Sequence, residues 1–519
     1  MDTLKSPSIK SDILSGFLVF LIALPLCLGI ASASGAPPVA GILTAIAGGI
    51  VAPFLGSARL TIKGPAAGLI VIVLGAVTDL GQGDAGVGYH RALAVGVVAG
   101  GLQILLALLR AGTLGQIMPT SVVHGMLAAI GVIIISKQSH VLLGVKPTAK
   151  EPFELLAEIP KSFAERNPQV FLVGLVALAL MIGFPYLGKL VKVLKAVPVQ
   201  LVVLLVAVPM AGAAHLADKY FVALPPSIDK ALAFPDFSRI FSPESIKYIV
   251  MFTLVGSIES LLTVSAVDSI DEKKRVSDLN RDLLAAGVAN TLVACIGGIP
   301  MISEVVRSKA NIDNGAKSAW SNFFHGLFLL LAVALIPTVL MMIPLAALAA
   351  MLIITGSRLA SLGEFRHALH VGKEQLFLFT ATMLVTLATD LLIGVGAGLV
   401  LKLALHLFHG APISTLFKSC ILETREDGIA TLTVGDSAVF TNFLGLDARL
   451  KTLEADASVT AVRVDFRDAV VVDHTVQDKL DKIANRWTGK SLEFIGLDNH
   501  DPFSHHPLAV RKRRRASAA

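Results

Sequence analysis

The 519-residue chain carries 44 Lys and Arg against 38 Asp and Glu, so its formal net charge is +6, and 54% of its residues are hydrophobic while 16% are charged. Its mean hydropathy of +0.74 excludes a string of two or three soluble domains. No charged side chain occurs from Ile13 to Ala58 or from Ser318 to Ser357, and each stretch is long enough for two membrane spans. The composition predicts an integral membrane protein, and the positive charge does not indicate nucleic-acid binding.

Apolar segments form two sets of seven, separated by a more polar stretch at about 217–246. The first set is predicted at 13–33, 39–57, 65–79, 91–110, 120–136, 168–186 and 197–216. The second set is predicted at 248–267, 281–297, 307–317, 318–343, 344–360, 374–390 and 391–409. The first segment lacks a small-residue cleavage site followed by a soluble chain, so we expect a span and not a signal peptide.

Basic residues are concentrated in alternate loops. The loops that carry them hold Arg59, Lys63, Lys189, Lys192, Lys195, Lys273, Lys274, Arg275, Arg358, Arg366 and Lys373. The short loops between them, near 34–38, 298–300 and 390, contain no Lys or Arg, and the longer loop at 137–167 mixes both signs of charge. By the positive-inside rule and an even span count, both termini are expected in the cytoplasm.

The third segment of each set is interrupted. Residues 60–65 are predicted to be extended and to precede a short helix starting at Pro65, and residues 299–306 are predicted to be extended before a short polar helix at Arg307. Interruptions at matching positions indicate inverted repeats, here about 12–216 and 247–410, with a substrate site where they meet. Non-helical backbone at that depth is tolerated only beside a cavity or inside protein.

Two such helix starts would provide free N–H groups and positive dipole ends, which suit a small anion. The candidate anion-binding residues are Gly64, Pro65, Ala66, Ala67, Arg307 and Ser308. The first four are small enough for close backbone approach, and the last two add a charge and a hydroxyl. The alternative for Arg307 is an arginine that snorkels to the membrane edge.

Glu259 lies inside the apolar run Tyr248 to Val267, where an unpaired carboxylate is costly. We predict that it takes up a coupling ion, either H⁺ or Na⁺, with Thr263 one turn later and Ser257 nearby as further oxygen donors. Glu304 is a weaker candidate for the same role. The alternative is a carboxyl group tied to a neighbouring helix by hydrogen bonds.

After about Gly410 the sequence becomes charged and alternating. Strands are predicted at 429–434, 460–466 and 491–496, with helices at 440–453 and 474–486 between them. This pattern predicts a membrane domain over 1–410, a small α/β domain over 411–510 and a basic tail over 511–519. The histidines near 500–506 and the three cysteines match no metal-ligand spacing, so no metal or cofactor other than a coupling ion is expected. The sequence contains no nucleotide-binding motif, so we do not expect transport to be driven by ATP.

Four stretches resemble the SulP (sulfate permease) family: 16–35, 64–67, 255–262 and 297–317. The resemblance implies 14 segments in two inverted seven-segment repeats, core and gate domains, a homodimer in the lipid bilayer, and anion binding between the third and tenth segments. It also implies Na⁺ or H⁺ coupling at an acidic residue of the eighth segment, the place of Glu259. Family substrates include sulfate and bicarbonate.

The segment from Val470 to Thr475 is similar to the strand-to-helix turn of STAS domains. Where the anti-sigma-antagonist pattern has a phosphorylatable serine after the aspartate, this chain has His474 and Thr475, so phosphorylation is not expected there. The resemblance implies a role in dimerisation, trafficking or regulation, with a regulatory protein as a candidate partner.

These observations favour a secondary active transporter of small inorganic anions, driven by Na⁺ or H⁺ through alternating access, in a bacterial inner membrane. Within the same fold the alternative is an uncoupled anion channel or exchanger. A nucleobase carrier has no obvious need for Arg307. An enzyme or metal-dependent sensor built on the soluble histidines is the alternative from another class.

Overall fold

A computed structural model describes residues 9–514 except 117, 150, 192–193, 195–196, 226–227 and 488. Lys192 and Lys195 of the predicted basic loop, and residues 515–519 of the predicted tail, therefore lie outside the described residues. The described chain forms two compact units. One contains the residues up to Gly112 and Ile130–Ala360, and the other contains Thr113–Ala129 and the residues from Ser361 onward. The second unit thus combines the last apolar helices with the C-terminal domain.

Helices dominate the chain up to residue 416. In order they are α1 Ile9–Ala33, α2 Pro38–Val51, α3 Ile70–Gly81, α4 Ala85–Leu108, α5 Thr120–Leu143, α6 Pro152–Ala164, α7 Pro168–Leu190, α8 Val199–Ala213, α9 Ile228–Ala231, α10 Pro243–Ser269, α11 Leu279–Cys295, α12 Val305–Asp313, α13 Trp320–Leu335, α14 Pro337–Met341, α15 Leu345–Leu359, α16 Leu362–Val371, α17 Lys373–Ala388, α18 Leu391–Phe408 and α19 Ile413–Leu416. Each predicted span coincides with one of these helices, except that 318–343 covers both α13 and α14.

Among the described residues, eight helices are long and apolar enough to cross a membrane, and three shorter apolar helices lie at Ala67–Gly81, Val199–Ala213 and Trp320–Leu335. The count of 14 spans stays a prediction. The predicted loop at 137–167 is largely helical, because α5 continues to Leu143 and α6 follows. Helix α6 was not predicted, because it buries little beyond Leu155 and Ser162 and so lacks the apolar run of a span.

Local sequence sets several helix starts. Asn167 accepts backbone N–H bonds at the start of α7, and Ser242 does so at the start of α10. Each is followed by a proline, which has no backbone N–H group. The first N–H groups of a helix have no partner within it, so proline costs no hydrogen bond at this position. These helices therefore begin where the chain itself provides a cap.

The two interrupted segments pair with each other. Strands β1 (Ile62–Gly64) and β2 (Ile302–Glu304) run antiparallel, with Ile62 opposite Glu304. Three backbone N–H groups of these strands donate to side chains: Ile62 to Ser308 Oγ at 2.9 Å, Lys63 to Asn322 Oδ1 at 3.3 Å, and Ser303 to Ser260 Oγ at 3.1 Å. Extended backbone surrounded by apolar helices is tolerated here because neighbouring side chains take up its polar groups.

A buried ion pair braces this ladder. Lys63 Nζ lies 2.9 Å from both carboxylate oxygens of Asp282 and 2.7 Å from Ser303 Oγ, and neither charged side chain is exposed. Asp282 also accepts the N–H of Ala58 at 2.8 Å. The interpretation of Lys63 as an exposed cytoplasmic loop charge was wrong. Counting loop charges treats every basic residue beside a span as solvated, whereas this one lies inside a strand.

We predict that Lys63→Met destabilises the protein by about 3–5 kcal/mol, because it leaves the Asp282 carboxylate buried without its partner. Thermal unfolding of the detergent-purified protein measures the loss. The double variant Lys63→Met/Asp282→Leu should recover much of the stability, since it removes both charges. Lys309→Met, which breaks the exposed pair Lys309–Asp313, is the matched control. Equal stability of the Lys63 and Lys309 single variants would contradict the prediction.

The C-terminal domain contains two four-stranded sheets. Its strands are β3 Ile421–Glu426, β4 Ile429–Val434, β5 Asp436–Ala438, β6 Ala461–Asp465, β7 Ala469–Val472, β8 Ser491–Ile495, β9 His500–Pro502 and β10 Arg511–Arg513. Their orders are β3-β4-β6-β8 and β5-β7-β10-β9. In the first sheet β4, β6 and β8 are parallel, and helices α20 (Phe443–Ala455) and α21 (His474–Arg486) complete the domain.

The predicted strands at 429–434, 460–466 and 491–496 correspond to β4, β6 and β8, and α21 has the predicted bounds. The predicted boundary between domain and basic tail differs from the structure, since Arg511–Arg513 form strand β10, which pairs with β7 and β9. Periodicity could not show this, because three consecutive basic residues have no alternation. The pairing comes from strands that are distant in sequence.

The turn that resembles a STAS phosphorylation site is buried within the second unit. Lys402 Nζ of α18 lies 2.6 Å from Asp473 Oδ1, and His406 Nε2 lies 3.5 Å from the same oxygen. Burial alone would raise the pKa of Asp473, but the Lys402 charge and the His406 contact hold it below its ordinary value. Thr475 is also buried. This turn is therefore occupied by an ion pair with α18, and the absence of phosphorylation there stays a prediction.

Candidate anion-binding site

Arg307 connects the two interrupted segments. It stands in the first turn of α12, where the Glu304 carboxylate caps the helix by accepting the Arg307 backbone N–H at 2.7 Å. The Arg307 side chain is 1% exposed. Its Nη2 donates to the carbonyl of Pro65, and its Nη1 donates to Cys27 Sγ of α1 at 3.5 Å. It does not snorkel to a surface, so the membrane-edge alternative does not describe this structure.

Gly64 is required for this approach of the guanidinium group. A Cβ atom at Gly64 would lie 2.7 Å from Arg307 Nη1, closer than side-chain carbons come to such atoms. The following Pro65, Ala66 and Ala67 are all buried. The structure therefore brings five of the six predicted anion-site residues together around one short length of backbone.

The two interrupted helices begin differently. A 3₁₀ turn, Ala67–Leu69, leads into α3, and no side chain caps it. At α12, by contrast, Glu304 already occupies one N–H group. Because the first N–H groups of a helix have no partner within it, the start at Ala67 offers donors and a positive dipole end that the start of α12 partly lacks.

Ser308 has a different role in this structure from the predicted one. Its hydroxyl accepts the Ile62 N–H at 2.9 Å and donates to the Glu304 carbonyl at 2.6 Å. The accepted bond joins β1 to α12, and the hydroxyl proton is used within the start of α12 itself. Ser308 positions the site here, and its direct contact with an anion stays a prediction.

The Arg307 guanidinium group is only partly satisfied. Its Nε atom has no hydrogen-bond partner among the described residues and lies 3.6 Å from a carboxylate oxygen of Glu304. That makes Glu304 both the helix cap and the nearest counter-charge. These contacts account for Glu304 structurally, without a coupling ion.

Glu259 lies against the same helix start. It is buried on α10, and its Oε1 atom has no hydrogen-bond partner among the described residues. Both carboxylate oxygens face Gly68, where a Cβ atom would collide with them. Since Gly68 directly follows Ala67, the candidate coupling carboxylate and the candidate anion-binding turn are neighbours.

Thr263 and Ser257 are placed differently around α10. Thr263 is buried one turn after Glu259 and so lies on the same side of the helix. Ser257 is two residues before Glu259, about 200° around the helix, and its hydroxyl accepts from Gln103 Nε2 at 3.4 Å. The structure brings Thr263 but not Ser257 to the side of the carboxylate.

Sequence reasoning missed the polar side chains that hold the extended backbone. Asn290 of α11 accepts the Met301 N–H at 2.7 Å and donates to the Met301 carbonyl at 3.1 Å. It also donates to Gln103 Oε1 of α4 at 2.8 Å. The available signal was an amide side chain inside each of two predicted apolar segments, Gln103 in 91–110 and Asn290 in 281–297. Gly68 gave no signal, since nothing in the sequence shows what faces it.

We predict that Gly68→Ala impairs transport by about tenfold or more, because the added methyl group takes the space of the Glu259 carboxylate. The measurement is anion uptake into proteoliposomes at matched protein content. Gly101→Ala is the control, since a Cβ there meets nothing within 4 Å. Full transport by Gly68→Ala would show that the Glu259 position seen here is not needed.

The family model of the Sulfate permease family matches residues 9–382. The chain belongs to this family. The predicted family and membrane fold are confirmed, and so is the expectation that the protein is not an enzyme. It is a multi-pass membrane protein of a family of anion transporters.

Relatives and solved structures agree with this. The chain is 27% identical to YvdB of Bacillus subtilis (strain 168), over 83% of this chain and 80% of that one. YvdB is named as a sulfate transporter. It is 25% identical to the bicarbonate transporter BicA of Picosynechococcus sp. (strain ATCC 27264 / PCC 7002 / PR-6), over 75% and 69%.

The transmembrane domain of a cyanobacterium bicarbonate transporter BicA superposes with a TM-score of 0.67 at 24% identity, over 75% of this chain and 98% of that chain. The murine Slc26a9 anion transporter in the inward-facing state gives 0.69 at 15% identity, over 95% and 86%. These likenesses show the fold.

Proposed function

We propose that this protein is a secondary active transporter of a small inorganic anion, sulfate or bicarbonate, coupled to Na⁺ or H⁺ and working by alternating access. The observation that carries the proposal is the meeting of two buried charged groups at one uncapped turn. Arg307 reaches the carbonyl of Pro65, and Glu259 lies against Gly68.

The positive side of the site suits an oxyanion. Arg307 provides a fixed charge whose Nε–H has no hydrogen-bond partner among the described residues, and the turn at Ala67–Leu69 provides backbone donors. An anion there would replace the bonds that Arg307 makes with Cys27 and Pro65. The names of the relatives, which include sulfate and bicarbonate transporters, support these two oxyanions as substrates.

The negative side of the site supplies coupling. An ionised Glu259 next to the same turn would repel an arriving anion, and burial strengthens that repulsion. A proton, or a Na⁺ held by Glu259 and Thr263, removes the repulsion. Anion and cation affinities are then linked, and each ion raises the affinity for the other. The doubly occupied site favours the conformational change that reopens on the other side.

The remaining expectations belong to the same proposal. The termini lie in the cytoplasm, the membrane is a bacterial inner membrane and the protein functions as a homodimer. Na⁺ or H⁺ is a co-substrate and no resident cofactor is needed. The C-terminal domain is available to a regulatory protein on surfaces other than the buried turn at Asp473.

The test is uptake of labelled sulfate and, separately, bicarbonate into proteoliposomes with and without an inward Na⁺ or H⁺ gradient. We expect the wild type to concentrate one of the anions when a gradient is imposed. Arg307→Ala should lower uptake at least about tenfold, equivalent to about 1.4 kcal/mol of lost interaction. Glu259→Gln should abolish the response to the gradient, because the amide neither binds a proton nor attracts Na⁺.

Arg281→Ala and Glu272→Gln are the matched controls, since both side chains are largely exposed. Flux that ignores the gradient in the wild type and survives Glu259→Gln would favour an uncoupled channel or exchanger of the same fold. Absence of flux for both anions would exclude the two substrates.

A further inference from the structure

A separate cavity lies in the second unit, outside the site described above. Its volume is about 640 Å³, within the range of small-molecule binding sites. Its lining residues come from the end of α18, from the second sheet and from the loops beside them. They are His409, Gly410, Arg467, Val470, Asn499, Lys512, Arg513 and Arg514.

The lining is strongly basic. Four of the eight lining residues are Lys or Arg, and none is Asp or Glu. Arg467 is paired with Asp465, and Arg514 lies 2.7 Å from Asp501. Arg513 donates only to the backbone carbonyl of Asp468, at 3.3 Å. Within the part of the chain that the structure describes, Arg513 thus has no carboxylate partner.

Lys512 likewise has no carboxylate partner among the described residues. Among the described residues, Lys512 and Arg513 therefore provide two positive charges that form no salt bridge. Their strand, β10, is fixed between β7 and β9, with Lys512 opposite Val471 and Asp501. The cations are thus presented by a sheet and not by a loose tail.

The opposite side of the cavity is formed where the last apolar helix ends. The chain turns at Gly410, which has a positive φ of 95°, immediately after α18. Large apolar side chains around this end are exposed: Phe408 at 83% and Ile413 at 74%. Apolar side chains exposed beside a basic cavity at the end of a span are typical of the boundary between lipid tails and headgroups.

We propose that this cavity binds the phosphate group of an anionic ligand, and that its place at the end of α18 favours a phospholipid headgroup over a soluble phosphate compound. Arg513 donates to the phosphate oxygens, and Lys512, the preceding residue of β10 in the cavity lining, adds a second positive charge to the site. His409, whose Nε2 lies 2.7 Å from Glu374 Oε1, stands beside the ligand. The inference is independent of the transport mechanism proposed above, since none of its residues contacts Arg307 or Glu259.

The test uses the purified full-length protein in a zwitterionic detergent. The probes are dioctanoyl phosphatidylglycerol, dioctanoyl phosphatidylcholine, inorganic phosphate and ADP, each titrated while the unfolding temperature is followed. A ligand that binds only the folded protein raises that temperature as its concentration passes its Kd. We expect phosphatidylglycerol to stabilise the wild type and phosphatidylcholine to do so far less.

Lys512→Gln/Arg513→Gln should weaken phosphatidylglycerol binding about tenfold or more. Lys482→Gln/Arg449→Gln, which removes the same charge from exposed pairs elsewhere in the domain, should not. Inorganic phosphate or ADP could instead stabilise the wild type, with Lys512→Gln/Arg513→Gln abolishing that stabilisation. This result would support the phosphate site and overturn its assignment to a phospholipid. Equal effects of the two double variants, or equal stabilisation by both lipids, would overturn the proposal.

A wild-type measurement keeps the test valid if the first variant folds poorly. Raising the salt from about 0.05 to 0.5 M should weaken phosphatidylglycerol binding several-fold, because screening acts on the exposed charges of the cavity. Binding that is insensitive to salt would count against a site built on Lys512 and Arg513.

Discussion

Extended backbone among apolar helices must find a partner for its peptide groups, and this requirement organises the transporter core. Strands β1 and β2 satisfy part of it through each other. Side chains from four further helices provide the rest, among them Ser260, Ser308 and Asn322. The cost of an unpaired peptide group at such a place is several kcal/mol. Each of these contacts therefore stabilises extended backbone whose peptide groups have no partners within a helix.

The same requirement explains why the two buried charges can stand so close to one helix start. The pairing of β1 with β2 aligns the residues that follow each strand, so Arg307 reaches back to the carbonyl of Pro65. Glu304 ends β2 and caps α12 at once. Its carboxylate compensates part of the Arg307 charge, whereas Glu259 has no such compensation among the described residues. One of the two charges is thus fixed by structure, and the other is the group that we propose takes up the coupling ion.

The sequence predicted the parts of this arrangement that depend on local chemistry. Pro65 and the polar run near Arg307 break apolar segments that would otherwise continue, so both interruptions could be placed from their residues. Glu259 and Arg307 were identifiable because a charge within an apolar run is costly wherever it points. The C-terminal strands β4, β6 and β8 were predicted because their apolar residues alternate.

The parts that depend on distant pairing could not be predicted. Ile62 and Glu304 are paired although more than half of the sequence of the membrane domain separates them. No spacing rule connects two such positions. Lys63 looked like a loop charge because its partner Asp282 is 219 residues away. Gly68 matters only because Glu259 faces it, and β10 forms only because β7 and β9 are there to receive it.

The Lys402–Asp473 ion pair has a consequence for biosynthesis. The two residues are 71 positions apart, so α18 leaves the ribosome well before its counter-charge does. During that interval the Lys402 ammonium group near the end of the helix must stay hydrated or reach the membrane surface. Completion of the C-terminal domain then allows it to be buried. The Lys402 side chain thus reaches its buried position only after the chain beyond α18 has folded.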